Sequence, residues 1–213
     1  MNFDISATNI IIAITAVISF VALSNRKLFY DWAMVPTAVK NRGEYYRFIL
    51  SGFVHADLMH FAFNMITLYS FGRMIEYIFV TIFGEQWGMV AYVAFYLVAM
   101  IVSDIPTYLK NKNNESYLSI GASGAVSAII FAAILFQPTS TLLLFFIPMP
   151  AFIFGVLYLG YTTYANNRQD PSAGGINHSA HLWGAIFGIV CMVLLVPSIL
   201  PHFFGEIMNW RPF

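Results

Sequence analysis

Six apolar stretches, several of them short or polar for a simple membrane-spanning helix, dominate the sequence and restrict where the chain can fold. A helix needs about 20 mostly apolar residues to cross the hydrocarbon core of a bilayer. The six stretches are Ile5–Leu23, Leu58–Val80, Trp87–Val102, Ile120–Phe136, Pro150–Tyr164 and Ser179–Leu200. The sequence shows no internal repeat and no low-complexity tract. We therefore predict one membrane domain over residues 1–213, an all-α polytopic bundle of six helices.

Charge is too scarce in this chain to cover the surface of a soluble globule. Charged residues make up 9% of the 213 residues, against about a quarter in an ordinary soluble domain. The net charge of zero also argues against a nucleic-acid partner, which would require a basic excess. The single cysteine, Cys191, excludes an internal disulfide and a Cys-rich zinc site. The polar groups inside the apolar stretches are therefore the place to look for function.

The connections between the stretches differ in length and character. The first, from Ser24 to His55, mixes charges with aromatic rings, which is typical of a segment that folds at the membrane interface. Asp104–Tyr117 is predicted to be a polar loop. Gln137–Pro148 is apolar with two prolines, and we expect it to dip into the interface. Ala165–Asn177 is rich in Gly, Pro, Ser and Asn, so we expect it to be mobile.

Four polar side chains lie inside the stretches, where polar groups are costly and usually face the bundle interior or a water-filled cavity. They are His60 and Asn64 in the second stretch, Ser123 in the fourth and His181 in the sixth. These three helices run in the same direction. At 1.5 Å per residue, the four groups lie within roughly 5–12 Å of the same membrane face. They therefore converge at one depth from three distant parts of the chain.

Small residues explain how these helices can approach each other. Gly184 and Gly188 form a GxxxG pair just beyond His181, and the fourth stretch begins with Gly-Ala-Ser-Gly at positions 121–124. Small residues allow membrane helices to pack backbone to backbone. Contact between the fourth and sixth helices would bring Ser123 close to His181.

These side chains are the components of an acyl-transfer site. A neutral imidazole can take the proton of a serine hydroxyl near neutral pH, which fits His181 as the base for Ser123. His60 and Asn64 can donate hydrogen bonds to a developing oxyanion, as can backbone N–H groups at the start of the fourth helix. Glu76 lies towards the opposite membrane face, and no other carboxylate in the stretches is placed to orient His181. The pattern therefore predicts a Ser–His dyad.

On these residues the chain resembles the rhomboid intramembrane serine proteases of bacterial type, over nearly its whole length. Gly121–Gly124, GASG, matches the family's GxSG, and Ala180–Gly188 matches its AHxxGxxxG. The resemblance implies that Ser123 is the nucleophile and that His181 is the general base and acid. The supporting small residues are then Gly121, Gly124, Gly184 and Gly188.

The second helix carries a further match to the same family. His55–Asn64 matches HxxxxHxxxN, and Gly72–Glu76 matches Gly-xxx-Glu. The resemblance implies that His60 and Asn64 help to form an oxyanion hole and that His55 has a structural role. From the residues alone, Glu76 is expected to be a satisfied interior carboxylate that braces a helix end.

The resemblance implies a six-helix rhomboid-like bundle with a folded interfacial first loop that cleaves single-pass transmembrane proteins within the lipid. No cofactor, metal or nucleic acid is implied; four histidines could hold a transition metal, but no Cys or paired carboxylate supports such a site. A substrate helix must partly unwind before attack, because its carbonyls are hydrogen-bonded internally. Lateral access would pass the fifth helix, weakened by Pro148, Pro150 and Gly155, and Ala165–Asn177 would act as a lid.

Two positions depart from the family's pattern. Tyr46-Arg47 stands in the first loop where the family often has Trp-Arg. Ser127 stands four residues after the nucleophile, where a bulky aromatic often stacks on the catalytic histidine. Ser127 is expected to be simply small, so the base would be held by a hydrogen bond or by another helix. Further expectations are a loop-anchoring or helix-capping role for His178 and a lipid-facing or packing role for Phe152, Phe154, Tyr158 and Tyr161.

Two alternative functions are compatible with a polytopic chain. A non-catalytic rhomboid-like protein that binds membrane clients is one, but such relatives usually lack the serine or the histidine. A channel is the other, but a pore needs polar groups through its full depth, and here they occupy one leaflet. The sequence therefore favours the protease.

The distribution of basic residues conflicts with the orientation that the resemblance implies. Of the ten Lys and Arg, only Arg73 and Arg211 lie opposite the polar cluster. The positive-inside rule would put the cluster on the cytoplasmic side, whereas the resemblance puts it on the extracytoplasmic side of a bacterial inner membrane. We adopt the second expectation, because several of these charges belong to the folded first loop.

Overall fold

The computed structural model of the chain describes residues 6–144, 147–168 and 176–211. Within these ranges the chain is mostly helical, as predicted for an all-α polytopic protein. Helices α1 to α10 are Ala7–Ser24, Arg26–Trp32, Pro36–Arg42, Arg47–Leu50, Leu58–Phe83, Glu85–Asn111, Ser123–Phe136, Ala151–Arg168, His178–Leu195 and Ile199–Asn209. A 3₁₀ turn at Ser51–Phe53 follows α4, and strands β1 (Thr141–Leu144) and β2 (Ile147–Pro150) lie between α7 and α8.

Six of these helices occupy the six apolar stretches, and among the described residues four are long and apolar enough to span a membrane: α1, α5, α6 and α9. The count of six spans therefore stays a prediction. Helix α7 is apolar but has only 14 residues, so it is about 21 Å long. That is shorter than the hydrocarbon core of about 30 Å. Every residue from Gly124 to Leu135 is buried, which makes α7 the central helix of the bundle.

Two predicted boundaries are wrong because local patterns extend or end helices. Helix α6 continues through Asp104 to Asn111, where a loop was predicted, because Ser103, Thr107 and Asn111 recur every four residues and bury one face. The sixth stretch divides into α9 and α10 at Pro197. Proline lacks a backbone N–H and disfavours helical geometry in the preceding residue, so α9 ends at Leu195.

The region between α7 and α8 is an antiparallel hairpin rather than an irregular dip. Its outermost pair is Thr141 with Pro150, and its innermost pair is Leu144 with Ile147. Strand β2 carries both prolines of the hairpin, Pro148 and Pro150, and they are tolerated because it is an edge strand. Helix α8 then continues to Arg168, which makes residues 165–168 of the predicted lid helical. Residues 169–175 of that lid lie outside the described residues.

The first loop is folded, as predicted, and Arg47 is at its centre. This side chain is 3% exposed and donates hydrogen bonds to the carbonyls of Tyr30 (2.9 Å) and Ala33 (2.6 Å) and to Glu44 (2.6 Å). Hydrogen bonds from Arg42 and Arg47 lower the pKa of Glu44 to about 2. The guanidinium therefore ties α2 to the turn before α4, and the tyrosine in place of tryptophan at position 46 leaves that arrangement intact.

Glu76 fixes α1 against α5, which confirms that it is a satisfied interior carboxylate. Its Oε2 accepts from Ser6 Oγ (2.7 Å), Thr8 N (3.0 Å) and Thr8 Oγ1 (2.7 Å), and its Oε1 accepts from Ala7 N (2.6 Å). A carboxylate at a helix N-terminus satisfies free N–H groups and complements the helix dipole. At Gly72 of α5, an added Cβ would lie 2.7 Å from Tyr92 Oη of α6 and 2.9 Å from Thr8 Cγ2 of α1, so glycine permits the close approach of both helices.

Candidate active site

Helices α7 and α9 pack backbone to backbone, as the small residues predicted. A Cβ at Gly184 would overlap the carbonyl of Gly124, and a Cβ at Gly188 would overlap the carbonyl of Ala128. Because both pairs are four residues apart, the two helices run parallel and in register. A Cβ at Gly124 would in turn overlap Ser103 Oγ, so α6 packs against the same point. The start of α7 is therefore enclosed by two neighbouring helices.

Ser123 is the first residue of α7 and is half-buried. The preceding segment is held by a two-way backbone bridge between Ser119 and Met34 (2.9 and 3.1 Å) and by the bond from Gly121 N to Ser51 O (2.9 Å). Gly121 has φ 115°, a conformation that favours glycine. A Cβ here would also lie 2.6 Å from His60 Cε1. The sequence therefore places the His60 ring directly against the turn before Ser123.

His55 supports this turn from inside the protein. It is fully buried, and its Nδ1 lies 2.9 Å from Ser19 Oγ, which donates to Phe53 O (2.7 Å). The Ser19 hydroxyl has one hydrogen, so Nδ1 is the donor to it and Nε2 accepts from Ala122 N (3.5 Å). Burial, with a smaller contribution from His60, lowers the pKa of His55 to about 3. His55 therefore stays neutral, which fits a structural role.

His60 and Asn64 lie one turn apart near the start of α5. Asp57 caps this helix by accepting from His60 N (2.8 Å), and the His60 ring packs edge-on against His55 at 4.9 Å. Asn64 is buried, and its Nδ2 donates to the carbonyl of His60 (2.9 Å). An amide carries two N–H donors, so this bond occupies one and leaves the second available.

His181 is half-buried on the first turn of α9, where its ring stacks on a tyrosine from α8. The Tyr158 and His181 centroids lie 6.1 Å apart with 16° between the ring planes. Ser127 Oγ is 2.7 Å from Tyr158 Oη. Two expectations are therefore incomplete, because Tyr158 does more than pack and Ser127 is more than small. The sequence analysis left open that another helix holds His181 in place. It did not indicate that Tyr158 is the residue that does so.

The neighbours of His181 define what the site can do. His178 packs edge-on against His181 at 5.9 Å and against Tyr161 at 5.4 Å. In the described part of the chain, no hydrogen bond joins Ser123 to His181. The same residues include no group of three His, Cys, Asp or Glu arranged to hold a metal.

The N-terminus of α9 is fixed by a polar cluster that was missed at the sequence level. Asn177, and not His178, is the cap, since its Oδ1 accepts from Ala180 N (3.1 Å). Thr107 donates to the same oxygen (3.0 Å), and Asn177 Nδ2 donates to Asp104 (3.3 Å). Asp104 and Asn177 line a cavity that Ser123 also lines. An Asn directly before an apolar helix is a known capping signal. Its partners Asp104 and Thr107 were predicted to lie in a loop, so their contact with Asn177 was not expected.

Comparisons with known proteins agree on one family. The model of the rhomboid domain matches residues 42–198. RHOMBOID-like protein 12, mitochondrial, from Arabidopsis thaliana is 32% identical over 175 residues, which cover 76% of this chain and 49% of the relative. Presenilin-associated rhomboid-like protein, mitochondrial, from Homo sapiens is 33% identical over 142 residues, which cover 66% and 35%. The chain thus spans between about a third and about half of the length of these curated relatives.

Proposed function

Because the chain belongs to the rhomboid family, we propose that it is an intramembrane serine endopeptidase in which Ser123 is the nucleophile and His181 the general base. The observation that supports this most is the in-register packing of α7 on α9. It sets Ser123, at the start of one helix, beside the first turn of the other, which carries His181. The His60 ring packs against Gly121, in the turn directly before Ser123.

The reaction follows from these positions. His181 takes the proton of Ser123 as Oγ attacks a substrate carbonyl and the C=O π bond opens to an oxyanion. His60, the second N–H of Asn64 and the first-turn N–H groups of α7, which have no acceptor within the helix, stabilise this charge. His181 then protonates the departing amine as the C–N bond breaks. Water hydrolyses the acyl-enzyme with His181 again acting as the base, and Ser123 is regenerated.

Ser123 and His181, both among the described residues, lie at the starts of two packed helices without a hydrogen bond between them. Catalytic hydrogen bonds in free enzymes are often long and tighten in the substrate complex. We expect the Ser123–His181 bond to form when a substrate backbone fills the cavity beside Ser123.

The proposed substrates are single-pass transmembrane proteins that reach the site laterally, past α8. Only three residues of this helix are buried, Ala151, Gly155 and Thr162, so it is the least enclosed helix beside the site. The finer localisation is also a proposal. The apolar helices show a multi-pass membrane protein, and we propose that the site opens on the extracytoplasmic side. The relatives are named mitochondrial, so they do not support the predicted bacterial inner membrane.

Cleavage of a reporter in vesicles tests the proposal. The full chain is reconstituted with a single-pass reporter that carries helix-breaking residues, as wild type, Ser123→Ala and His181→Ala. Ser70→Ala is the matched control, since Ser70 is exposed on α5 and bonds only to its own helix. We expect cleavage by wild type and control and none by the two dyad variants. Cleavage that survives Ser123→Ala would overturn the mechanism, and reporter binding without cleavage by wild type would favour the client-binding function.

A further inference from the structure

We infer that Tyr158 of α8, held by Ser127 of α7, is the positioning residue that orients the imidazole of His181. The inference rests on the proposed function of His181 as the base. It goes beyond that function because it assigns the orientation of the base to a residue on a third helix. Ser127, one turn after Ser123, and Tyr158 then act as a pair.

The geometry of the two rings carries the inference. Their centroids are 6.1 Å apart and their planes differ by 16°, which is within the range of offset-stacked aromatic pairs. The torsion that turns an imidazole about its bond to Cβ is broad and poorly restricted by itself. In the described part of the chain, no hydrogen bond to either ring nitrogen of His181 is present. Among the described residues the His181 ring therefore has two ring contacts, the stacked face of Tyr158 and the edge of His178, and only Tyr158 belongs to another helix. The face of Tyr158 limits the rotation from α8.

Tyr158 is itself held in a defined orientation. Its hydroxyl lies 2.7 Å from Ser127 Oγ, and Ser127 is 1% exposed. Its ring packs against Phe131 of α7 at 5.5 Å and against Phe154 of α8 at 5.6 Å. Two contacts out of three come from α7, the helix that begins with Ser123. The helix with the nucleophile therefore also aligns the ring that aligns the base.

This arrangement links the position of α8 to the orientation of His181. Helix α8 buries few residues and lies at the side of the site. A displacement of α8 at the level of Tyr158 removes the stacked ring and leaves the imidazole free to rotate. The base is then correctly oriented only while this part of α8 stays against α7.

Three variants separate the ring from its hydroxyl. Tyr158→Leu removes the ring, Tyr158→Phe keeps the ring without the hydroxyl, and Ser127→Ala removes the partner of the hydroxyl. Tyr164→Leu is the control, because Tyr164 is exposed on the same helix and its ring contact is with Arg168. In the vesicle assay we expect kcat to fall by about tenfold for Tyr158→Leu and by no more than about threefold for Tyr158→Phe and Ser127→Ala. KM should stay at the wild-type value in all three variants, and both constants should stay at wild-type values in the control.

A second measurement does not depend on activity. The protein is labelled with ¹³C at the histidine rings and studied by NMR in micelles, and the His181 signal is assigned from its absence in His181→Gln. A stacked ring shifts this signal upfield, so wild type and Tyr158→Phe should share one position and Tyr158→Leu should move downfield. An unmoved signal in Tyr158→Leu, or equal loss of kcat in the leucine and phenylalanine variants, would overturn the inference. If the wild type does not cleave the reporter, the proposed function fails, and the NMR comparison still decides the positioning.

Discussion

Gly188→Ala is the substitution that tests most directly how the site is assembled. Its new Cβ would overlap the carbonyl of Ala128, a backbone group that cannot rotate away, so α9 has to move from α7. Overpacking of this kind costs about 3 kcal/mol. An alanine also gains about 0.5–1 kcal/mol over glycine within a helix. Gly205→Ala in α10 isolates this gain, because nothing lies within 4 Å of its Cβ position.

The two variants therefore differ by the packing strain alone. For a chain of 150–250 residues, about 3 kcal/mol corresponds to about 6–12 °C in the midpoint of thermal unfolding. Unfolding in micelles can be followed with a thiol-reactive fluorophore, since Cys191 is the single cysteine and lies half-buried on α9. Far-ultraviolet circular dichroism gives an independent midpoint. Equal midpoints for Gly188→Ala and Gly205→Ala would refute the backbone-to-backbone packing of α7 and α9.

Three further predictions concern groups that hold the fold around the site. Glu76→Gln turns an amide N–H towards the donors of the α1 N-terminus, so unfolding free energy should fall by about 1–3 kcal/mol, while exposed Glu206→Gln leaves the thermal midpoint unchanged. Arg47→Lys keeps the charge but loses the planar guanidinium that donates to two carbonyls, which should loosen the first loop. Limited digestion with chymotrypsin should therefore cut this loop faster in Arg47→Lys than in the control Arg26→Lys. Burial lowers the pKa of His55 to about 3 from 6.5, so below pH 6.5 the unfolded chain binds a proton that the folded protein excludes. The contribution of His55 to the free energy of unfolding is therefore fully present above pH 6.5 and should fall by about 2 kcal/mol by pH 5. Thermal unfolding at pH 7.5 and pH 5 measures this loss. An equally large loss in His55→Gln would contradict the prediction.

The part of the site that depends on helix spacing was predictable from the sequence. Gly184 and Gly188 lie four residues apart on one face, and that spacing correctly predicts the contact with α7. Glu76 was likewise recognisable, because a carboxylate deep in an apolar stretch must be satisfied by nearby donors. The predicted roles of Ser123 and His181 in catalysis go beyond these contacts and await the cleavage assay.

The part that depends on contacts between distant helices was not predictable. Ser127 reads as a small residue in an Ala-rich helix, and Tyr158 as one aromatic among several on α8. Their hydrogen bond appears only when the rotations of both helices are known. Helix α7 is apolar on all sides, so its sequence carries no amphipathic pattern from which that rotation could be derived. The continuation of α6 to Asn111 was hidden for a similar reason, since its polar residues suggested a loop.

The rotation of α7 is set by contacts rather than by hydrophobicity. Association of helices in a bilayer has no hydrophobic driving force, so close packing and a few hydrogen bonds determine it. Around α7 these are the bond from Ala122 to His55, the His60 ring against Gly121, the approach of α6 and α9 to Gly124, and the bond from Ser127 to Tyr158. Each lies within the first two turns or the turn before them, so the end of α7 that carries Ser123 is fixed most firmly. We therefore expect substitutions at these contacts to lower kcat more than substitutions of equal volume near Leu135.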